Sequence, residues 1–228
     1  MTIKEGVYTA GALRINYRVY TPNEEKAGLP LLVYLHGAGE RGQTDESLPH
    51  VERHGIPRLL AEGKEIPAVV LVPQCPTYLV WDNIVQNVKV LIDLVASRYK
   101  TDVCRAYLTG SSMGGYGTFA LALTYPSFFA AIAPVSGGGT SWRASNLVTT
   151  PVFAVHGKND TLVPPICSEM MTEAIKAKGG DARLLLLEGM GHNDAIDYAY
   201  RHGGVIDYLL SKTRADFSPV PEFCHECF

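Results

Sequence analysis

The segment Gly110-Ser111-Ser112-Met113-Gly114 carries a serine with glycines two residues before and two after it, the pattern G-x-S-x-G. It follows the apolar run Ala106 to Thr109 and precedes a helical stretch from Gly115 to Tyr125, so the serine falls at a strand-to-helix turn. A turn that sharp presents the central hydroxyl outward, and small flanking residues let neighbouring backbone approach. The helix N-terminus beside it favours developing negative charge. Ser112 is therefore a candidate nucleophile for attack on a carbonyl. Ser111 is the competing hydroxyl, but it lacks glycines at both positions two away.

A serine hydroxyl is a weak nucleophile without a base, and the base needs an acid to orient it. Asp160 closes Val155-His156-Gly157-Lys158-Asn159-Asp160 and His192 closes Gly189-Met190-Gly191-His192, each directly after an apolar run. The chain order is serine, acid, histidine, as a strand–serine–helix nucleophile of this kind requires. Asp160 could also cap the helix near Ile166 or close a turn. Asp194 is the second candidate for the acid, although a partner two residues from His192 rarely reaches its far ring nitrogen. His156 precedes the acid and reads as a structural histidine at a strand end. A tetrahedral intermediate also needs backbone N–H donors. One is expected from Met113, the residue after the nucleophile. The other is expected from Ala38, with Gly37 or Gly39 as alternatives, in the loop His36-Gly37-Ala38-Gly39-Glu40-Arg41-Gly42. Glu40 and Arg41 are expected to pair and fix that loop.

The elements that must position these residues follow from periodicity. Two alternating runs, around Val7 to Thr9 and from Leu13 to Tyr20, flank Ala10-Gly11-Ala12 and read as a hairpin. After Pro22, short apolar runs (Leu31 to Leu35, Ala68 to Val72, Ala106 to Thr109, Ala130 to Val135, Val152 to Val155, Arg183 to Leu187) alternate with helical stretches. The helices are expected near Arg53 to Ala61, Asn83 to Arg98, Gly115 to Tyr125, Ile166 to Lys178 and Ala195 to Leu210. Alternation of this kind predicts an α/β fold: a mostly parallel sheet, an antiparallel N-terminal hairpin, and helices on both faces. Residues 1–217 read as one domain and 218–228 as a C-terminal tail. Ligands of such sheets bind beyond the carboxyl ends of the strands, where all the candidate residues fall.

Composition narrows the classes. The chain has 228 residues, 46% of them hydrophobic and 19% charged, with a net charge of −3. No concentrated basic face supports nucleic-acid binding, and no run is long and apolar enough to span a membrane. The N-terminus lacks a basic-then-apolar leader, so a cytoplasmic location is expected for the sequence as written, with export if a leader was removed. Five scattered cysteines argue against a disulfide framework. Cys104 reads as a small core residue at a strand edge, and Cys224-His225-Glu226-Cys227 as an inert terminal C-x-x-C. His50 and His54 have i, i+4 spacing but no accompanying Glu, and read as a solvated surface rather than a metal site.

Taken together, Leu35-His36-Gly37-Ala38-Gly39-Glu40-Arg41-Gly42, Pro73-Gln74-Cys75-Pro76, Gly110 to Gly115, His156-Gly157-Lys158-Asn159-Asp160 and Gly191-His192 resemble the α/β-hydrolase superfamily. More narrowly, the chain is similar to the small esterases of the dienelactone hydrolase, phospholipase/carboxylesterase and predicted-peptidase type, from about Leu31 to Leu210. The resemblance implies Ser112 as nucleophile, Asp160 as acid, His192 as base, no cofactor and no metal. It implies a carboxylesterase acting on small-molecule esters, short-chain or aryl. A peptidase or thioesterase with the same triad, and a non-catalytic binding protein, are the alternatives. Two departures stand out. The stretch Ser136 to Pro151 is too short for the large lid of many lipases, and dienelactone hydrolases place cysteine where this chain has Ser112. Trp81, Trp142 and Tyr116 are the candidate substrate contacts, with ordinary packing as the alternative for each. The sequence leaves the oligomeric state open.

Overall fold

Four short runs of aliphatic residues are buried along their whole length, a state open only to strands inside a sheet covered on both faces. In the computed structural model, which describes residues 1–24 and 27–214, these are β3 (Leu31–Leu35), β4 (Val69–Pro73), β5 (Ala106–Ser111) and β6 (Ala131–Val135). With β7 (Val152–Gly157) and β8 (Ala182–Leu187) they pair in parallel. The expected hairpin is present as β1 (Thr2–Ala10) and β2 (Leu13–Thr21), and β2 joins β4 antiparallel. The sheet has eight strands in the order β1-β2-β4-β3-β5-β6-β7-β8.

Successive side chains of a strand point to opposite faces, and the core divides accordingly. Leu31, Val33 and Leu35 of β3 face one layer, built with α2 (Val85–Tyr99), α3 (Met113–Thr124) and α4 (Ile166–Ala177). Leu32 and Tyr34 face the other, built with α1 (Gly55–Ala61), α5 (His192–Arg201) and α6 (Val205–Leu210). On α2, Val85, Val88, Leu91, Ile92 and Val95 form the buried stripe that the 3.6-residue spacing predicts.

The structure differs from the sequence reading at several points. The stretch expected as one helix from Ala195 to Leu210 is two. α5 stops at Arg201, and Gly204, in the left-handed conformation at φ 71°, caps the start of α6, although the apolar periodicity continues across the break. The helix expected from Arg53 starts at Gly55, after a 3-10 turn over Asp45–Arg53. Cys104 lies before β5, half-buried, where its N–H donates to Asp102 Oδ1. No lid rises between β6 and β7. Their connection holds one 3-10 turn, Ser141–Leu147, anchored by buried Ala144 and Leu147. The terminal Cys224 and Cys227, and the tail 218–228, lie outside the described residues.

At the carboxyl end of the sheet the backbones of β3 and α3 touch. A Cβ on Gly114 would overlap the Leu35 carbonyl oxygen and lie 2.8 Å from that of His36, whereas one on Gly39 meets nothing within 4 Å. Gly114→Ala is therefore expected to cost about 3 kcal/mol or more, and Gly39→Ala to stay within about 0.5 kcal/mol of the wild type. Urea unfolding midpoints of the two variants check this, and equal midpoints would contradict it.

Candidate active site

Ser112 lies between β5 and α3 with φ 56° and ψ −120°, a conformation L-residues avoid and one that costs of order 1–3 kcal/mol. Its main chain is tied down to hold it there. The Ser112 N–H donates to Val135 O at 2.9 Å, and its carbonyl accepts from Gly115 and Tyr116 N–H at 2.8 and 3.1 Å. Gly110 supplies the space on the strand side, since a Cβ there would sit 2.6 Å from Leu35 O. The competing Ser111 is buried, its hydroxyl hydrogen-bonded at 2.9 Å to the Tyr34 hydroxyl on the far side of the sheet.

Asp160 and His192 come together although 32 residues separate them. His192 Nδ1 donates to Asp160 Oδ2 at 2.6 Å. The other carboxylate oxygen, Oδ1, accepts the Leu162 and Val163 N–H groups, both at 2.9 Å. The aspartate thus closes its own turn and holds the histidine, so both readings of Asp160 apply at once. Burial pushes this carboxyl up, but the Val163 N–H, His192 and the Leu162 N–H outweigh it and leave it below the usual carboxylate range. With a proton on Nδ1 facing the carboxylate, Nε2 of His192 keeps its lone pair for use as a base. Among the described residues no hydrogen bond joins Ser112 Oγ to His192 Nε2. Catalytic contacts of this kind are commonly long before substrate arrives. Asp194 is exposed. His156 is fully buried, touching Ser168 Oγ at 2.7 Å, Val163 O at 2.9 Å and Asp160 Oδ2 at 3.3 Å. It braces the turn that carries Asp160.

The loop after β3 lies against the nucleophile, with a Cβ on Gly37 only 3.6 Å from Ser112 Cβ. Its carbonyls are captured one after another by side chains. His36 O accepts from Trp81 Nε1 at 2.9 Å, and Gly37 O from His36 Nδ1 at 2.6 Å. Ala38 O accepts from Arg41 Nε, Gly39 O from Arg53 Nη1 and Glu40 O from Gln74 Nε2, each at 3.0 Å. The His36 ring is neutral, because burial pulls it down to about 4, and its Nε2 accepts the Cys75 N–H at 2.9 Å. The N–H groups of Ala38 and Met113 donate to no group among the described residues. These are the two expected oxyanion donors.

Three expectations are corrected here. Trp81 does not border a pocket: it is 1% exposed, its indole holds the loop after β3, and its ring packs against Gly117. A large aromatic after a strand end reads the same from sequence whether it lines a site or supports one. Glu40 and Arg41 do not pair. Arg41 turns to the carbonyls of Ala38 and Leu79, while the Glu40 carboxylate is buried facing His36 and His54, at 3.8 Å from each. His54 is therefore more than a solvated surface residue. The roles of Gln74, Arg53 and the turn that carries Arg53 were missed. Pro73-Gln74-Cys75-Pro76 carried the signal, since a polar residue ending a fully apolar strand must find partners. Trp142 is 82% exposed, and Tyr116, in the first turn of α3, is half-buried beside Cys167 and Gly138. Burial and Cys167 push the Tyr116 phenol up to about 12. No group of three or more His, Cys, Asp or Glu among the described residues is arranged to hold a metal.

Residues 12–159 match the Esterase family. The chain belongs to that family. Among curated proteins this esterase-family chain is similar to the bifunctional acetylxylan esterase/xylanase XynS20E of Neocallimastix patriciarum, 32% identical over 167 residues. That match takes in 71% of this chain and 24% of the relative, so the chain spans about a quarter of that protein's length. Among solved structures, a thermostable esterase superposes with a TM-score of 0.81 at 27% identity, over 93% of this chain and 63% of the other. A feruloyl esterase module from Clostridium thermocellum, complexed with sinapinate, superposes with a TM-score of 0.70 at 18% identity over 92% of this chain and 88% of that one. A crystal structure of a dienelactone hydrolase from Klebsiella pneumoniae also shares the fold, with a TM-score of 0.66. The fold is that of the α/β-hydrolases, as the sequence resemblance implies.

Asp160→Asn keeps the shape of the turn but loses the charge opposite His192. A carboxyl whose folded pKa is depressed adds stability above its unfolded value of about 3.9 and loses it as pH falls through the folded value. The stability difference between wild type and Asp160→Asn is therefore expected at pH 7 and should shrink below about pH 4. Denaturant melts from pH 7 to pH 3 measure it, and a pH-independent difference would contradict the charge pairing.

Proposed function

We propose that this chain is a serine carboxylesterase that hydrolyses short-chain or aryl esters through an acyl-enzyme on Ser112. The observation that carries the reading is the Ser112 backbone, held at φ 56° and ψ −120° at the start of α3, on the same sheet edge as the 2.6 Å Asp160–His192 pair. A strained serine with every main-chain group tied and its hydroxyl left over is what nucleophilic catalysis needs.

In this mechanism Ser112 Oγ adds to the ester carbonyl while His192 Nε2 takes its proton. The carbonyl oxygen becomes an oxyanion held by the Ala38 and Met113 N–H groups, in a site where fixed dipoles are worth more than in water. His192 then gives its proton to the leaving alcohol as the C–O bond breaks, and the acyl group stays on Ser112. Water, deprotonated by the same imidazole, adds to the acyl carbonyl and releases the acid. Asp160 keeps the imidazole oriented and stabilises its cation in both halves.

For the substrate, the names of the relatives point to acetyl and feruloyl esters. The exposed Trp142 and the absence of a lid among the described residues suit an open site for a small acyl or aryl group.

Hydrolysis of p-nitrophenyl acetate by the wild type beside Ser112→Ala tests the reading. Clear wild-type turnover is expected, with a loss of about 10⁴-fold or more in the variant and a burst of p-nitrophenol if deacylation is slow. Activity retained by a folded Ser112→Ala protein would sink the mechanism. Trp142→Ala is expected to raise KM for a feruloyl ester by about 5- to 10-fold, the worth of one aromatic contact, and to leave KM for the acetate unchanged. Equal effects on both esters would remove Trp142 from the substrate site.

A further inference from the structure

His156 is a titratable ring with no step in the mechanism above, yet it is fully buried and stands against Asp160. A buried histidine must find partners for both ring nitrogens, and here the partners point to a task. We propose that His156 is a positioning residue of the reaction, its Nε2–H serving as a second imidazole donor to Asp160 and so fixing the carboxylate that holds His192. The inference rests on the Ser112 esterase reading and deepens it.

His156 lies near the end of β7, with Nε2 2.9 Å from Val163 O and 3.3 Å from Asp160 Oδ2. A carbonyl and a carboxylate only accept, so Nε2 must carry a proton. That proton is shared between the two acceptors, Val163 O being the nearer, in the manner of a three-centre bond. Asp160 then has four donors around it. Oδ1 accepts the Leu162 and Val163 N–H groups, while Oδ2 meets His192 Nδ1 at 2.6 Å and His156 Nε2 at 3.3 Å. A carboxylate offers about four lone-pair sites, and each is matched here by one donor. The bonds to Oδ1 come from the turn that carries Asp160. The contact from His156 ties Oδ2 to the sheet itself, which is the more rigid support.

The other ring nitrogen agrees with this proton placement. Burial pulls the His156 ring below its ordinary value, against the Val163 carbonyl and the Asp160 charge, so the ring is neutral near neutral pH. A neutral ring with its proton on Nε2 leaves Nδ1 as an acceptor, and Nδ1 faces the hydroxyl of buried Ser168 at 2.7 Å. The same hydroxyl lies 2.7 Å from Gly137 O and can turn to it when no imidazole is present. The titratable groups around the pair are His192 at the start of α5, the Tyr116 phenol of α3, which senses the Asp160 charge, and Cys167 of α4 beside that phenol. Lys158 on the same loop donates to Glu188 at 2.7 Å, and Asp194 of α5 is exposed. A donor on Oδ2 draws off part of its charge and so tempers the hold of Asp160 on a protonated His192. Without that donor the cation is held more strongly and the base is lost at a higher pH.

The test uses His156→Leu, which removes the donor, and His156→Gln, whose amide N–H can stand where the imidazole Nε2–H stood. In both variants the Ser168 hydroxyl keeps Gly137 O as a partner. With p-nitrophenyl acetate, His156→Leu is expected to lose about 10-fold in kcat through misplacement of the base. The acid limb of its kcat/KM profile is expected to move up by about 0.5 pH unit, the worth of one weak hydrogen bond. His156→Gln is expected to restore the limb and to bring kcat within about threefold of the wild type, as a regained donor requires. A role confined to packing would lower the melting temperature and leave the limb in place, so a folded His156→Leu protein with the wild-type limb would overturn the proposal. A second measurement uses the wild type alone. NMR of protein made with isotope-labelled histidine is expected to show His156 Nε2 protonated at pH 7, the ring being assigned through its proximity to Val163 and Ser168. An unprotonated Nε2 would overturn the proposal whether or not His156→Leu folds. Failure of the esterase reading looks different: the wild type itself would then turn over no ester, or would keep its activity in Ser112→Ala.

Discussion

The near-contact of two backbones at the carboxyl end of β3 and β5 is the constraint on which the rest of the site depends. Gly110 and Gly114 let the Leu35 carbonyl approach the first turn of α3 to distances that no side chain at those positions would permit. That approach leaves Ser112 in a strained conformation, and hydrogen bonds from its N–H to Val135 O and to its carbonyl from the Gly115 and Tyr116 N–H groups hold it there. The strain is local, and the buried layers on both faces of the sheet compensate for it. A looser junction would let Ser112 relax, and its hydroxyl would no longer stand clear of the main chain.

Around this junction, the polar groups of the site are arranged by side chains that hold the backbone. Five consecutive carbonyls, from His36 to Glu40, are each held by a different side chain, drawn from the loop itself, from the turn over Asp45–Arg53, and from the segment after β4. Asp160 divides its two oxygens between its own turn and His192. In both places the physical principle is the same. Backbone and side-chain donors are matched to acceptors, and few are left over.

Much of this was legible in the residues alone. The alternation of short apolar runs with helical stretches specifies a mostly parallel sheet, since strands buried on both faces are dominated by apolar residues and carry a polar one only where it finds a partner, as Thr109 and Ser111 do. The glycine-flanked Ser112, followed by Asp160 and His192 at later strand ends, specifies the order of the site residues. The errors share a cause. Trp81, the supposed Glu40–Arg41 pair and the continuous helix from Ala195 to Leu210 were judged from neighbours in sequence, whereas each is decided by neighbours in space. Trp81 is drawn inward by the His36 carbonyl 45 residues away, and the buried Glu40 carboxylate faces His36 and His54 rather than Arg41. The break at Gly204 is a backbone event that hydrophobic periodicity does not register.

The sequence by itself determined the fold class and the strand that ends at each of the candidate residues Ser112, Asp160 and His192. These follow from local pattern, because burial periodicity and turn chemistry are properties of short segments. Only the tertiary structure decided which hydroxyl takes up Ser111, which oxygen of Asp160 meets His192, and which side chains hold the carbonyls after β3. Those outcomes depend on hydrogen bonds that close over 30 to 80 residues of chain. Such bonds form only when separate strands stack at a common sheet edge and bring their ends within about 5 Å per strand of one another.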